Sequence, residues 1–327
     1  MNKGSGSRVA IVGARGIGKH HAKWWTVEGA DVCAIVGSSE ATAREAGQAL
    51  HESIEFGGNT YASLEAMIEA EHPDIVDVCS PAPQHAEHVR TALDRGCHVL
   101  CEKPFVYAPG KSRDALLAEA EALIDLAHDK HRRLGVCLQY AFAAPAIKRD
   151  WRDTYGAAPV TRFTAHFETP SKGRDPDPER IWMDLAPHPL SLLYRLKPVA
   201  GMFVANAETD FDGNRASASF TLRSDQEAEI ACQIHVSNSN DANAHRREFI
   251  LNDHAVTFSP SEDERGHYCT RVVTPHSEWC HIDLLRHLIR AFCWSETVQT
   301  VDEIVTNLDW TLALLEQGHA SMQGAPG

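Results

Sequence analysis

Residues 9–18 read Val9-Ala10-Ile11-Val12-Gly13-Ala14-Arg15-Gly16-Ile17-Gly18, and this stretch decides the fold. A β-branched, apolar run leads into a glycine-rich turn, and a helical pattern follows as far as Val27. Strand, glycine turn and helix in this order are typical of the start of a dinucleotide-binding unit. Gly13 permits the tight turn, and Gly18 permits close packing of the helix on the strand. The helix N-terminus then offers N–H groups to a pyrophosphate.

The order of predicted strands and helices in the rest of the chain indicates two domains of different architecture. Apolar strands at 32–36, 75–79, 98–101 and 134–138 alternate with helical patterns at 40–50, 84–94 and 112–132. Such strands predict a doubly wound parallel sheet, so we expect an α/β chain with an N-terminal Rossmann domain over residues 1–155. Beyond Gly156, alternation at 160–168, 216–222, 228–236 and 248–251, with closing helices at 279–294 and 301–321, predicts an α+β domain with an open, mainly antiparallel sheet. We assign substrate binding and oligomerisation to this second domain, residues 156–327.

Composition excludes several classes of partner. The chain has 327 residues, with 31 Lys and Arg against 45 Asp and Glu, so its net charge is −14. This charge argues against nucleic acid and against anionic membrane surfaces, because nothing supplies a basic stripe. No segment approaches the ~18 apolar residues of a membrane span, and the first residues lack the apolar core of a signal peptide. The nine cysteines form no Cys-x-x-Cys motif, and several lie in predicted strands, where they read as buried apolar residues, so we expect a cytoplasmic protein.

A second motif, Glu102-Lys103-Pro104, follows the strand at 98–101. With the glycine turn upstream, it resembles the Gfo/Idh/MocA family of nicotinamide-dependent sugar and polyol oxidoreductases. The resemblance implies that Lys103 stands beside the nicotinamide and the reacting carbinol, where an ammonium stabilises alkoxide character. Glu102 would orient the cofactor side. Ser80, Pro81 and His85 resemble the family's loop along the nicotinamide half, although the same residues also read as a plain strand-ending turn.

The sequence departs from the usual NAD pattern at two places. Arg15 replaces the second glycine, and Gly37 stands where an NAD site has Asp or Glu for the ribose hydroxyls. Ser38, Ser39 and the guanidinium of Arg15 suit a 2′-phosphate, so we predict NADP as the preferred cofactor and NAD as possible. The alternative is that Arg15 points to solvent and both cofactors are accepted. The predicted cofactor-binding residues are Gly13, Arg15, Gly16, Ile17, Gly18, Ser38, Ser39, Ser80, Pro81, His85, Glu102 and Lys103.

The second half of the predicted active site is Asp184 and His188, four residues apart. Helical spacing would place both on one face, and Pro187 indicates that Asp184 lies at or just before a first turn. An imidazole is suited to take a proton from a sugar hydroxyl. The family carries Asp-x-x-x-His here, so the resemblance implies that Lys103, Asp184 and His188 are catalytic.

Departures around this motif concern the substrate. Residues 177–183, just before Asp184, contain no glycine, where many family members have a glycine-rich stretch; Ser191 replaces a frequent Asp, and Ala141 replaces a frequent Arg. The resemblance therefore does not imply the substrate of a common inositol or glucose dehydrogenase. Tyr140, Arg180 and Trp182 are candidates for substrate binding; the alternative for each is ordinary packing or solvation.

Three further readings stay open at this point. A metal site is not expected, because the nineteen histidines supply no set of three or four ligands at a known spacing. The same fold would also serve a redox-assisted glycosidase or lyase with recycled cofactor, or a non-enzymatic dinucleotide sensor, although Lys103, Asp184 and His188 argue against the sensor. By resemblance we expect a homodimer or homotetramer with a small-molecule substrate.

Overall fold

The computed structural model describes residues 6–196, 201–224, 229–294 and 298–324. Its strands are β1 (Arg8–Val12), β2 (Asp31–Val36), β3 (Asn59–Tyr61), β4 (Ile75–Val78), β5 (His98–Cys101), β6 (Leu134–Val136), β7 (Arg162–Pro170), β8 (Phe203–Asp212), β9 (Arg215–Arg223), β10 (Ile230–Ser239), β11 (Arg246–Leu251), β12 (His254–Glu262), β13 (Tyr268–Val273) and β14 (Glu278–Ile282). Its helices are α1 (Gly18–Val27), α2 (Glu40–Ile54), α3 (Leu64–Glu71), α4 (His85–Asp94), α5 (Arg113–Asp129), α6 (Ala144–Tyr155), α7 (Pro178–Leu185), α8 (Pro187–Leu196), α9 (Leu284–Trp294) and α10 (Val301–Gly324).

The chain forms two compact units, and the first contains the parallel sheet. Its strand order is β3-β2-β1-β4-β5-β6, and every neighbouring pair is parallel. Strands β1, β2, β4 and β5 are mostly buried and, apart from Asp77, mostly apolar, as the continuous apolar runs predicted, whereas the short β3 is neither. The order reverses between β1 and β4, and ligands of such sheets bind beyond the carboxyl ends of the strands at that point. This confirms the predicted doubly wound fold.

The second unit contains an eight-stranded sheet within the described residues, in the order β14-β13-β12-β11-β7-β10-β9-β8. Neighbours are antiparallel except for β7 and β10, which run parallel. Alternate residues such as Phe163, Ala165 and Phe167 of β7 are buried, and the residues between them are less so. The predicted mainly antiparallel sheet is therefore confirmed, although residue 228 of one predicted strand lies outside the described residues.

The compact units divide the chain differently from the predicted boundary at 155/156. Unit one is Met1–Cys137 with Leu285–Val305, and unit two is Leu138–Leu284 with Thr306–Gly327. The segment after Cys137 belongs to unit two because α6 packs with α8, and Asp150 of α6 accepts a hydrogen bond at 2.9 Å from His254. Most of α9 belongs to unit one because Arg286 and Arg290 pair with Glu28 at the end of α1.

The helix predicted over 279–294 is only partly correct. Trp279–Ile282 pair with β13, so this segment is strand, and the helix begins at Leu284. Cross-strand pairing here overrides the local helical pattern. Among the described residues, no helix is long and apolar enough to cross a membrane.

Candidate active site

The glycine turn after β1 is as tight as its sequence predicts. Gly13 has φ +91°, and a Cβ there would lie 2.6 Å from the carbonyl oxygen of Cys79, just beyond β4. A Cβ at Gly18 would lie 2.5 Å from the carbonyl oxygen of Gly13. Both positions therefore require glycine, the first for its conformation and both for close approach.

The N-terminus of α1 is suited to an anion. The residue before it, Ile17, makes no side-chain cap, and the first turn holds no acidic residue. Lys19 lies in that turn, and Arg15 and Lys19 line a cavity of about 400 Å3 next to α2. A Cβ at Gly16 would meet nothing within 4 Å. The helix start without a side-chain cap, the two cations and the open space at Gly16 fit the pyrophosphate of a dinucleotide, although Glu45 lines the same cavity.

The end of β2 explains the missing carboxylate at position 37. A Cβ on Gly37 would lie 2.6 Å from the backbone nitrogen of Ala43 and 2.8 Å from Oγ1 of Thr42, because the first turn of α2 packs against it. Ser39 caps α2, and its Oγ accepts a hydrogen bond from the Thr42 N–H at 3.2 Å. The hydroxyl of Ser38 lies 3.3 Å from that of Thr42. Both serines thus lie at the N-terminus of α2, with exposed side chains.

The loop after β4 holds the residues predicted to line the nicotinamide half. Ser80 is mostly buried, and its Oγ lies 2.9 Å from Nδ1 of His88, whereas Pro81 is exposed. His85 is 1% exposed, and its ring nitrogens lie 2.8 Å from the carbonyl oxygens of Pro104 and Ser80. Burial lowers the pKa of His85, although both carbonyls oppose this shift. His85 therefore lies behind the loops after β4 and β5, where it supports their backbones.

The loop after β5 presents the Glu102-Lys103-Pro104 motif. Glu102 is 5% exposed, and its Oε2 accepts a hydrogen bond from the backbone N–H of Lys103 at 3.1 Å. Its other oxygen, Oε1, lies 3.1 Å from Nε2 of His21. The Lys103–Pro104 bond is cis. The three sequence-predicted segments of unit one, after β1, β4 and β5, therefore all lie at the carboxyl ends of neighbouring strands.

A buried imidazole, His21, joins these segments, and its role was not predicted from the sequence. His21 on α1 lies between Asp77 on β4, at 2.8 Å, and Glu102. Burial disfavours the charged imidazole, but Asp77 and Glu102 outweigh this and raise the pKa of His21 to about 10. Trp25 donates its indole N–H to Asp77 at 2.6 Å. The available signal was an aspartate inside the apolar strand Ile75-Val76-Asp77-Val78.

In unit two, Asp184 and His188 lie on consecutive helices. Asp184 is near the end of α7, Ala186 forms a turn, and Pro187 starts α8. Proline has no N–H to continue the first helix, so a new one begins there. Asp184 thus precedes the first turn of α8, as predicted, and His188 is mostly buried within that turn.

The ring of His188 lies in an aromatic cluster. Tyr140 lies 5.0 Å away and Phe167 6.0 Å away, measured between ring centroids. Arg247 on β11 lies over the ring of Phe167 at 4.7 Å and donates from Nε to the hydroxyl of Tyr140 at 3.2 Å. Tyr140 was predicted from the sequence; Phe167 and Arg247 were missed. The Arg246-Arg247 pair at the start of a strand was the only local signal for the arginine.

The other two candidates for substrate binding, Trp182 and Arg180, make contacts within unit two that support its fold. Trp182 is fully buried, and its indole N–H donates to the carbonyl of Thr311 at 3.0 Å, so it is a core residue of unit two. Arg180 is half-buried and bonds to the carbonyl of Asp175 at 3.3 Å, which ties α7 to the preceding loop. These contacts favour the packing and loop roles named as alternatives for both residues.

The comparisons with known proteins bear first on unit one. Residues 7–138 match the oxidoreductase family GFO_IDH_MocA, described as an NAD-binding Rossmann fold. The resemblance to the Gfo/Idh/MocA family is confirmed over this stretch. The D-glucoside 3-dehydrogenase of Escherichia coli (strain K12) is 36% identical over 134 residues, which are 40% of this chain and 37% of that protein. The chain thus aligns with little more than a third of this curated relative.

Solved structures extend the likeness in fold to nearly the whole chain. UDP-N-acetylglucosamine 3-dehydrogenase from Acidithiobacillus ferrooxidans has a TM-score of 0.67 at 20% identity and covers 97% of both chains. An inositol dehydrogenase homologue from Azotobacter vinelandii, complexed with NADH and myo-inositol, has a TM-score of 0.72 at 16% identity and covers 97% of this chain and 96% of that one. Both chains share the fold of this protein.

Proposed function

We propose that this chain is an NAD(P)-dependent oxidoreductase. It transfers hydride between nicotinamide and a hydroxyl-bearing or carbonyl carbon of a sugar, polyol or related small molecule. The observation that carries this proposal is the glycine turn and uncapped α1 N-terminus within the family-matched stretch, beside the Glu102-Lys103 loop. The named relatives act on a D-glucoside and on UDP-N-acetylglucosamine, which supports a substrate with ring hydroxyls.

The residues of unit one would hold the cofactor at the carboxyl ends of β1, β2, β4 and β5. The α1 N-terminus with Gly13 and Gly16 would hold the pyrophosphate, and Arg15 would add a positive charge. Bound nicotinamide supplies the acceptor or donor of hydride. Lys103 then donates a hydrogen bond to the reacting oxygen and stabilises its developing negative charge.

His188 and Asp184 would act on the substrate proton. The imidazole of His188 removes a proton from the substrate hydroxyl during oxidation and returns it during reduction. Asp184 positions the substrate or increases the basicity of the imidazole. This mechanism predicts that Lys103 and His188 contact the same substrate molecule.

For the cofactor we propose a preference for NADP over NAD. No carboxylate can occupy position 37, so the usual repulsion of a 2′-phosphate is missing there. Ser38 and Ser39 lie at the N-terminus of α2, where hydroxyls and the helix dipole favour an anion. Glu40 in the same turn opposes this preference, but its carboxylate pairs with Arg44 at 3.6 Å.

For assembly we propose a homodimer or homotetramer formed through the large sheet of unit two. The less buried face of that sheet carries polar and small side chains on adjacent strands, including Thr164, His166, Gln233, His235 and Ser219. An open sheet face of this kind is suited to pairing with a second copy. Light scattering at working concentration tests the proposal, and a monomer would contradict it.

The first experiment is a parallel melting titration with NADPH and NADH. A ligand at 100 times its Kd adds about 2.7 kcal/mol to the free energy of unfolding, which gives a clear rise in melting temperature. The preferred cofactor then enters a screen of sugars and polyols. Lys103→Ala and His188→Ala should each reduce turnover by orders of magnitude and leave cofactor affinity nearly unchanged.

Three results would redirect this proposal. Tighter binding of NADH than of NADPH contradicts the NADP preference alone. Turnover that regenerates the cofactor in every cycle identifies the redox-assisted glycosidase or lyase. The absence of any melting shift with either cofactor, oxidised or reduced, contradicts hydride transfer and favours a sensor without catalytic activity.

A further inference from the structure

A buried ion triad lies behind the Glu102-Lys103 loop. The imidazole of His21 contacts Asp77 Oδ2 through Nδ1 at 2.8 Å and Glu102 Oε1 through Nε2 at 3.1 Å. His21 and Asp77 are fully buried, and Glu102 is 5% exposed. We call these three residues the His21 triad. They come from α1, β4 and the end of β5, so the triad joins three segments of unit one.

If both carboxylates are ionised, the geometry requires a proton on both ring nitrogens of His21. Ionised carboxylates only accept hydrogen bonds, and one carboxylate faces each nitrogen. A neutral imidazole would leave one carboxylate facing a lone pair in a buried setting, which is costly. The raised pKa of His21 agrees with the charged ring. With two carboxylates and one imidazolium, the triad carries a net charge of about −1.

Further hydrogen bonds fix Asp77 in place. The indole N–H of Trp25 donates to Asp77 Oδ2 at 2.6 Å, and Trp25 is fully buried. The thiol of Cys79 donates to Asp77 Oδ1 at 3.5 Å. Asp77 therefore orients the imidazole as a rigid acceptor, in the way that carboxylates orient catalytic histidines.

The triad reaches Lys103 through the second oxygen of Glu102. While Oε1 of Glu102 is held by His21, Oε2 accepts the backbone N–H of Lys103 at 3.1 Å. On the other side of the loop, the carbonyl of Pro104 lies 2.8 Å from Nδ1 of His85. The backbone on both sides of the Lys103 side chain is thus fixed by buried histidines from α1 and α4.

The potential ligand atoms around His21 are close enough together to suit a metal ion, but their chemistry favours a protonated imidazole instead. Ligand atoms of His21, Glu102 and Cys137 lie within 4.8 Å of one another. Burial raises the pKa of the Cys79 and Cys137 thiols well above the ordinary value, and the nearby carboxylates raise it further. Neutral thiols are poor ligands, and both nitrogens of His21 already contact carboxylates.

We propose that His21 and Asp77 are positioning residues, which hold Glu102 and, through its second carboxylate oxygen, the backbone that presents Lys103 to the substrate. This inference rests on the proposed function, because it assigns the triad to the lysine of that reaction. Loss of the triad displaces Lys103, and a displacement of about 1 Å reduces turnover by as much as about 100-fold. The glycine turn lies outside the triad, so cofactor affinity should change much less than turnover.

The first test measures the charge of His21 in the wild-type protein, with 15N-labelled histidine followed by NMR. One histidine should keep both ring protons well above the ordinary pKa, and this signal should vanish in His21→Gln. Metal analysis of the same sample should find no stoichiometric zinc. A full set of histidines that lose their proton near neutral pH, or one zinc per chain, would overturn the inference whether or not the protein is an oxidoreductase.

The second test compares kinetics in Asp77→Asn, His21→Gln and the control His51→Gln. Asparagine keeps an acceptor for Trp25 but removes the charge, so Asp77→Asn tests the triad if His21→Gln does not fold. Both triad variants should lower kcat by about 10- to 100-fold while the cofactor Kd and the substrate KM change little. Among the described residues, the His51 ring contacts the backbone carbonyl of Phe56 just after α2, far from the triad in sequence, so its variant should retain wild-type values.

The outcomes of the second test separate the two proposals. A wild-type protein that turns over, with triad variants that match it, overturns the positioning role alone. A wild-type protein that binds neither nicotinamide cofactor overturns the proposed function, and the inference falls with it. Equal losses in kcat and in cofactor affinity would indicate general damage to unit one and would also contradict the positioning role.

Discussion

Replacing Gly13 by alanine separates two reasons for glycine in the turn after β1. Alanine at φ +91° costs about 1–2 kcal/mol because L-residues avoid left-handed backbone. Its Cβ would also lie 2.6 Å from the carbonyl oxygen of Cys79, which is 0.8 Å less than the 3.4 Å at which ordinary contact begins. The atoms that it meets are backbone atoms of the sheet, so they cannot rotate away. Overpacking of this kind adds about 1–3 kcal/mol, so Gly13→Ala should lose about 2–5 kcal/mol.

Gly29→Ala is the matched control for conformation alone. Gly29 has φ +86°, and a Cβ there would meet nothing within 4 Å. Its variant should therefore lose only about 1–2 kcal/mol. Gly16→Ala should change the free energy of unfolding by less than about 0.5 kcal/mol, because its Cβ also enters open space. If the pyrophosphate approaches that space, Gly16→Ala should still weaken cofactor binding.

Urea unfolding followed by tryptophan fluorescence measures all three variants, and the melting titration measures their cofactor affinity. Equal losses in Gly13→Ala and Gly29→Ala would refute the close approach of β1 and β4. Wild-type cofactor affinity in Gly16→Ala would refute the assignment of that space to the pyrophosphate.

Three further predictions concern unit one. Glu28→Gln should lose about 3 kcal/mol, because it removes the mostly buried carboxylate that pairs with both α9 arginines, whereas exposed Glu52→Gln should lose almost nothing. The raised pKa of His21 stabilises the fold fully below its ordinary value of 6.5, and this stabilisation should disappear as the pH rises through about 10. In Asp77→Asn, the free energy of unfolding measured with urea should therefore depend less on pH between about pH 7 and 10. Phe292→Ala should lose about 3–5 kcal/mol, because its ring is fully buried.

Each of these predictions has a contrary result. Equal unfolding midpoints for the two glutamate variants would mean that the α9 pairs add no stability. The same pH dependence with and without Asp77 would mean that His21 titrates elsewhere. Trp294 is 78% exposed, so Trp294→Ala is the control for Phe292→Ala, and similar losses from both would contradict the assigned core.

The sequence predicted the parts of this fold that depend on local pattern. The glycine turn and the apolar strands are local signals, so the parallel sheet followed from them. β8 gave no such signal, since Phe203 at its start is 47% exposed and its register shifts after Ala205. The membership of α9 in unit one depends on partners far away in sequence, such as the pairing of Arg286 with Glu28. No local pattern contains that information.

In the candidate site, too, the features with a local sequence signal were predicted, and those that depend on distant residues were not. The motif at Glu102-Lys103 was visible as three consecutive residues, whereas its support by His21 depends on a ring 81 residues away. Trp182 was assigned to substrate binding but is a core residue. From the sequence alone, a large aromatic side chain beside a catalytic motif fits a substrate pocket and a hydrophobic core equally well. Only its burial and its bond to Thr311 distinguish the two.

The close contact at Gly37 also limits how this protein can be redesigned. A common route to change a nucleotide-dependent enzyme from one coenzyme to the other is to exchange a single residue after the second strand. Here an aspartate at Gly37 would have its Cβ 2.6 Å from the Ala43 backbone nitrogen and would disrupt the start of α2. An engineer would have to rebuild the loop and the Ser39–Thr42 cap together, so coenzyme choice in this chain is tied to the architecture of a helix start.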